Sequence, residues 1–342
     1  MVDYSNKLYQ EDLQALYPYL APLVNGKDQV RLLITGATGL VGSFLVDAVR
    51  AFNKKDNNRI KLYLTTREKD KIYQRFPGIE QEEVVILKQD LMKGFPDEQE
   101  YDYIVHLASN ADPAAYAKYP LETIETNVVG AIRLVQYLRD HPGTKAVVAS
   151  SMEVYGQIEK EPIKEADFGK LDFNMLRAGY PESKRTAELI LRSAVEEYQI
   201  QCMIARLGYL YGPTMQNSDN KIVSELIRKA KQKKSVELKT PGVQRRTYCY
   251  VRDAVSALLQ MLRTGRAGEV YNVADRKSET TIRGLAELVC RLYGLNLTIQ
   301  DQSISRTNTN VILDSSKLEE TGWRAEVPLE DGIQRSVSIW KL

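Results

Sequence analysis

Histidine and cysteine are scarce in this chain of 342 residues, and their scarcity removes whole classes of chemistry. There are two His (His106 and His141) and three Cys (Cys202, Cys249 and Cys290). Two His and no close Cys pair cannot build a His-rich or Cys-rich zinc site, so no metal is expected. Three scattered Cys suit a reducing compartment, and the odd count argues against a closed disulfide framework. Charge of one sign is also missing: 47 basic against 45 acidic residues leave +2. That balance gives no reason to expect nucleic acid or an anionic membrane as the main partner. No stretch approaches the ~20 apolar residues of a membrane span. Met1–Gln10 has an early acid and no apolar run, so no secretory leader is expected and a cytoplasmic location is. Internal repeats and low-complexity tracts are absent as well. Tyrosine, by contrast, occurs 20 times. If this chain moves protons, tyrosine is the abundant choice and histidine the scarce one.

Residues 6–24 place Leu8, Leu13, Leu16, Tyr17, Leu20 and Leu23 at three- and four-residue spacings, which predicts an amphipathic helix packed on its own domain. From residue 30 apolar, β-rich runs alternate with helical periodicity. The runs are Val30–Thr35, Ile60–Thr65, Val84–Leu87, Tyr103–Leu107, Ala146–Ser150 and Cys202–Leu207. Helical stretches include Phe44–Phe52, Ile124–Arg139, Lys184–Tyr198 and Lys221–Lys234. This alternation predicts an α/β fold with a doubly wound parallel sheet.

The first run leads into Gly36-Ala37-Thr38-Gly39-Leu40-Val41-Gly42, glycines three apart between a strand and a helix. Gly36 would permit a tight turn, Gly39 the approach of backbone to a pyrophosphate, and Gly42 close helix–strand packing. Phosphates would then meet free N–H groups at the helix start. The second strand usually ends in an acid that bonds the ribose 2′-OH. Here it ends Thr65-Thr66-Arg67. An Arg can accept a 2′-phosphate, so charge favours NADP over NAD, unless Arg67 is a surface loop residue. Asp90 follows the third strand, as a ligand of the adenine amine or as a solvated loop Asp.

Tyr180 and Lys184 stand four apart, which puts both on one face of a helix. A free Tyr, with a pKa of about 10, is a poor base at neutral pH, and a nearby ammonium would favour the phenolate. Upstream, the strand Ala146–Ser150 runs into Ser151-Met152-Glu153, at a strand end where open parallel sheets place ligand-facing groups.

With these motifs in this order the sequence resembles an extended short-chain dehydrogenase/reductase of the nucleotide-sugar epimerase/dehydratase type. The likeness runs on through His106–Ser109, Thr126–Val128, Arg206–Pro213, Lys221–Ser224, Gln244–Val251, Tyr271–Val273 and Gly322-Trp323. The resemblance implies a Rossmann-type domain over 30–206, with 246–274 returning to it. A smaller, discontinuous substrate lobe would span 207–245 and 275–342, and 1–29 would be a helical extension. It implies Tyr180 as the acid/base, Lys184 as the residue that lowers its pKa and bonds the nicotinamide ribose, and Ser151 as the residue that orients the sugar hydroxyl. The cofactor would lie along Gly36, Thr38, Gly39, Leu40, Val41, Gly42, Thr66, Arg67, Asp90, Leu91, Leu107, Ala108, Ser109 and Asn127. The substrate would meet Ser151, Glu153, Arg206, Val223, Ser224 and Arg246, with the arginines near a diphosphate and Val223-Ser224 near the base.

In 4,6-dehydratases an Asp-Glu pair follows the catalytic hydroxyl residue, and here Met152-Glu153 stands there. Met cannot donate a proton, so that reaction is disfavoured. Glu153 and the stretch Pro113–Asn127 resemble the UDP-glucuronate decarboxylases. The expected activity is hydride transfer on a nucleotide-activated sugar, or a related activated polyol precursor, as epimerase, decarboxylase or reductase. A net NADPH-dependent reductase of a nucleotide-linked keto-sugar or ketose, for example CDP-linked, is the alternative. A non-catalytic dinucleotide-binding scaffold is a more distant one, opposed by the intact set Ser151, Tyr180 and Lys184. The resemblance further implies a homodimer and a setting in polysaccharide precursor synthesis.

Overall fold

The structure is a computed structural model, which describes residues 2–56, 59–79, 84–300 and 310–341. Its strands, in chain order, are β1 (Val30–Thr35), β2 (Ile60–Thr66), β3 (Val84–Lys88), β4 (Tyr103–His106), β5 (Lys145–Ser151) and β6 (Gln201–Leu207). They continue with β7 (Tyr209–Tyr211), β8 (Val236–Leu238), β9 (Arg245–Tyr250), β10 (Val270–Val273), β11 (Glu279–Thr281) and β12 (Leu297–Ile299). Seven of them form one sheet in the order β10-β6-β5-β4-β1-β2-β3. Every pairing in it is parallel. A parallel sheet hides both faces under crossover helices, which is why its strands read as near-continuous apolar runs. The order reverses between β1 and β4, and a crevice for a ligand opens at that switch point.

A three-stranded sheet, β11-β9-β7, and a two-stranded one, β12-β8, lie outside the large sheet. They surround a separate apolar cluster containing Tyr211, Val223, Leu226, Ile227, Leu285, Val289, Ile333 and Trp340. Of the segment 246–274, the helix Val251–Thr264 and β10 pack with the large sheet, whereas β9 belongs to the three-stranded one.

The N-terminal segment differs from the single helix its periodicity predicts. It is a helix Lys7–Gln14, a short helix Tyr17–Leu20 and a 3-10 turn Ala21–Leu23. Pro18 and Pro22 each sit in the first positions of a new element, because proline has no N–H to continue the preceding one. Tyr9, Leu13, Leu16 and Leu20 are nonetheless buried in the main core. The Tyr9 hydroxyl donates to Asp47 Oδ2 at 2.7 Å, and Tyr250 donates to Asp12 Oδ2 at 2.7 Å. No helix of the described residues is long and apolar enough to cross a membrane.

Candidate functional site

At the end of β1 the chain turns through Gly36, whose φ is +69°. A Cβ there would lie 2.7 Å from the Leu107 carbonyl carbon and 2.8 Å from the Ala108 nitrogen, so the turn needs glycine twice over. A Cβ on Gly42 would run into the Gly36 carbonyl oxygen. Gly39 is the N-cap of the helix Leu40–Lys55 and offers no side-chain cap, which leaves N–H groups of the first turn, Leu40 and Val41 included, to another acceptor. A cradle that side chains would fill, opening on a helix start, fits a dinucleotide pyrophosphate. Thr38 and Leu40 are tied to the second lobe through their carbonyls: Gln216 Nε2 donates to Thr38 at 3.2 Å and Thr214 Oγ1 to Leu40 at 2.7 Å.

Across the switch point, Thr35 Oγ1 accepts the N–H groups of Leu107 and Ala108, both at 3.1 Å, and so fixes the turn after β4. Ser109 donates to Asn127 Oδ1 at 2.7 Å, Asn127 donates to Ser183 Oγ at 2.9 Å, and Ser183 donates to the Tyr180 carbonyl at 2.8 Å. This relay joins the loop after β4 to the helix Gly179–Tyr198 that carries Tyr180.

At the edge of the cradle the structure is less simple than the charge argument implies. The Thr66 hydroxyl is engaged locally, donating to the Glu68 carbonyl at 2.8 Å and accepting the Glu68 N–H at 3.1 Å. Arg67 is not a free cation, since its Nη1 lies 2.7 Å from Glu122 Oε1. Asp90 Oδ1 accepts the Met92 N–H at 3.1 Å, an Asx turn that shapes the loop holding the half-buried Leu91.

Tyr180 and Lys184 do share one helix, and both are buried. Burial pushes the Tyr180 phenol up to about 12, with the Ser151 hydroxyl pulling it down and the Glu153 charge adding to the rise. Lys184 is itself pushed down to about 8 by burial, opposed by the nearby Glu188 charge, and it donates to the Ala149 carbonyl at 2.8 Å. Desolvation, rather than the expected pull of Lys184, therefore dominates the Tyr180 phenol. Ser151 Oγ also accepts the Glu153 N–H at 3.2 Å, capping the turn Met152–Tyr155.

Two residues that sequence reasoning missed complete this corner. The Tyr116 ring stacks on Tyr180, and its hydroxyl donates to Glu153 Oε1 at 3.2 Å. Arg177 Nη2 stands 4.0 Å from the same oxygen, with its side chain 68% exposed. Arg177 stands one turn before Tyr180, a spacing available in the sequence, but nothing local tied Tyr116 to it. Met152 packs against the small apolar cluster of Val154, Tyr155, Ile163, Ala274 and Leu313.

The residues expected at the substrate fall into two groups. Arg246 lies over the Tyr209 ring at 4.4 Å, with its Nε buried and without a hydrogen-bond partner. A cation of this kind suits an anionic group. Arg206 is different. Its guanidinium grips Glu188 through two nitrogens, Nε to Oε1 at 3.0 Å and Nη2 to Oε2 at 2.7 Å, and donates to the Glu165 carbonyl at 2.9 Å. Those bonds commit it to the interior rather than to a diphosphate. Val223 and Ser224 are likewise only 2% exposed. Val223 is in the second apolar cluster, and Ser224 Oγ donates to Asp219 Oδ2 at 3.0 Å, so neither side chain faces a base here.

His106 is buried with Nδ1 2.9 Å from Thr35 Oγ1, and burial lowers it to about 3, which leaves it neutral and structural. Among the described residues no group of three or more His, Cys, Asp or Glu gathers as a metal site.

The model of the NAD dependent epimerase/dehydratase family matches residues 32–274. UDP-glucuronic acid decarboxylase 3 of Arabidopsis thaliana is 31% identical over 324 residues, covering 92% of this chain and 91% of its own. UDP-glucuronic acid decarboxylase 1 of Xenopus tropicalis is 28% identical, covering 92% and 73% respectively. Among solved structures, UDP-N-acetylglucosamine 4-epimerase from Methanobrevibacter ruminantium superposes with a TM-score of 0.79 at 21% identity, covering 91% of this chain and 97% of that one. At that identity the likeness is one of fold.

Proposed function

The chain belongs to the NAD dependent epimerase/dehydratase family, and from that premise we propose that it remodels a nucleotide-linked sugar without net redox change, with decarboxylation of a uronic acid as the reaction. The observation that carries this is the corner built of Ser151, Tyr180, Lys184 and Glu153, with Met152 where elimination would need an acid. A bound nicotinamide would supply the reversible hydride acceptor for a ring carbon of the sugar. Tyr180 takes the proton of the sugar hydroxyl that Ser151 orients, and gives it back in the closing step. Lys184, on the same helix face, holds the cofactor ribose. Oxidation next to a carboxylate-bearing carbon creates a β-keto acid, which loses CO2 with the ketone as electron sink and needs no acid at Met152. Arg177 and Arg246 are the cations available to the substrate's carboxylate and diphosphate. The relatives named UDP-glucuronic acid decarboxylases support the choice of substrate.

The smaller lobe, 207–245 and 275–342, is assigned to the nucleotide sugar, on the strength of its separate apolar core; residues 301–309 of it lie outside the described part. A homodimer is supported by apolar side chains left exposed on two adjacent helices: Leu121 and Ile132 on Pro120–Asp140, and Leu189 on Gly179–Tyr198.

A second reading, net reduction by NADPH, is favoured by Thr66-Arg67 in place of an acid after β2. One experiment separates the two. Purified protein incubated with UDP-glucuronic acid and NAD is expected to release CO2 and a UDP-pentose with no lasting change at 340 nm. Stoichiometric NADPH consumption with a keto-sugar nucleotide and no CO2 release would establish the second reading instead. Tyr180→Phe is expected to lose turnover by about 10²- to 10⁴-fold while still binding the cofactor.

A further inference from the structure

We infer that Glu122 sets the cofactor choice of this chain, by neutralising the arginine that would otherwise select a 2′-phosphate. The inference rests on the dinucleotide reading above and deepens it. Three observations converge at the end of β2. The strand supplies no carboxylate, and its last hydroxyl, Thr66, is engaged by Glu68. Glu68 is in turn occupied by Lys71, whose Nζ lies 2.7 Å from Oε1. Arg67 reaches instead to Glu122, 2.7 Å away and 55 positions along the chain. Glu122 stands in the first turn of the helix Pro120–Asp140, whose start is set by Pro120.

The consequence follows from charge. A ribose 2′-OH is neutral and meets a compensated pair that still has oxygen acceptors to spare. A 2′-phosphate carries nearly two negative charges, and although Arg67 commits only Nη1 to Glu122, the phosphate meets a charge-neutral pair and a nearby carboxylate rather than a lone cation. The pair thus penalises NADP and leaves NAD untouched. This reconciles an arginine at this position with membership of a family described by its NAD dependence. Both partners are part exposed, with side-chain values of 58% and 36%, so the pair biases the choice and does not lock it.

The test is fluorescence titration of the full-length chain with NADH and with NADPH, for the wild type, Glu122→Gln, and Glu122→Gln combined with Arg67→Ala. The wild type is expected to prefer NADH. Glu122→Gln is expected to move the NADH-to-NADPH affinity ratio about two- to fivefold toward NADPH, with a gain that shrinks as salt is added. Adding Arg67→Ala is expected to erase that gain. An unchanged ratio in Glu122→Gln, a gain that survives Arg67→Ala, or a wild type that prefers NADPH would each overturn the inference. A wild type that binds neither dinucleotide would overturn the reading beneath it as well, and circular dichroism of the variants separates either result from misfolding.

Discussion

The ring of Tyr116 lies flat against that of Tyr180, with centroids 4.8 Å apart and planes 9° from parallel. Tyr116 is 2% exposed and Tyr180 6%, so each ring shields the other from water. This mutual cover helps explain why the Tyr180 phenol is held near 12. It also ties Tyr180 to Glu153, because the same Tyr116 carries the hydroxyl that bonds that carboxylate.

Tyr116→Phe keeps the stack and deletes the bond to Glu153. A hydrogen bond to a charged group is worth about 1.5–3 kcal/mol, so kcat/KM is expected to fall about ten- to a hundredfold. The folded chain loses the same bond, so the melting temperature should fall by a few degrees as well. Steady-state kinetics beside a melting curve check this, and an unaltered kcat/KM would leave Glu153 positioned by Arg177 alone.

Lys184 is a buried cation whose pKa falls from 10.5 to about 8. The charged form is penalised in the folded state, so the cost is fully present below pH 8 and is relieved as pH rises from about 8 to 10.5. Lys184→Met should abolish turnover yet raise the melting temperature at pH 7 by a few degrees, less whatever the lost bond to the Ala149 carbonyl contributes. The advantage over wild type should shrink at pH 10. Differential scanning calorimetry at the two pH values would decide it, and a variant less stable than wild type at pH 7 would refute the assignment of strain to this site.

Arg206 and Glu188 form a buried pair, with side chains 12% and 7% exposed. Removing one partner strands the other, which costs about 3–5 kcal/mol. Arg206→Met should therefore lower stability strongly, whereas a diphosphate ligand at this position would have shown mainly as a raised KM. Chemical denaturation together with KM for the nucleotide sugar distinguishes the roles.

Asp47 is fully buried and raised from 3.8 to about 6, with the Tyr9 hydroxyl as its bonded partner. A carboxyl raised in this way holds its proton in the folded state after the unfolded chain has lost it, so stability falls as pH rises from about 3.8 to 6. Asp47→Asn keeps an acceptor for Tyr9 and removes the charge. It should raise the melting temperature at pH 7.5 and make little difference at pH 4, and equal effects at both values would show that the charge is not the cause.

Chemistry local to a few consecutive residues was legible in the chain before it folded. Gly36–Gly42 needs a strand before it, a helix after it and no side chain at Gly36, Gly39 or Gly42, and all of that is written in the consecutive residues Val30–Lys55. Tyr180 and Lys184 are one helical turn apart, so their shared face follows from spacing. The parallel sheet follows in the same way from apolar runs of strand length alternating with helical ones. The tertiary structure alone decided where charges end up. Arg67 and Arg206 look alike in sequence as candidates for phosphates, but one meets Glu122 from 55 positions away and the other meets Glu188 across the packing of β6 on the helix Gly179–Tyr198. Val223 and Ser224 face the interior of the second lobe because the core there closes over them. Tyr116 covers Tyr180 from 64 positions upstream. Local patterns fix backbone geometry because neighbouring dihedrals are coupled; partners for charged and aromatic side chains are fixed only when distant elements pack, since desolvation makes each of them find whatever counter-group the fold brings within reach.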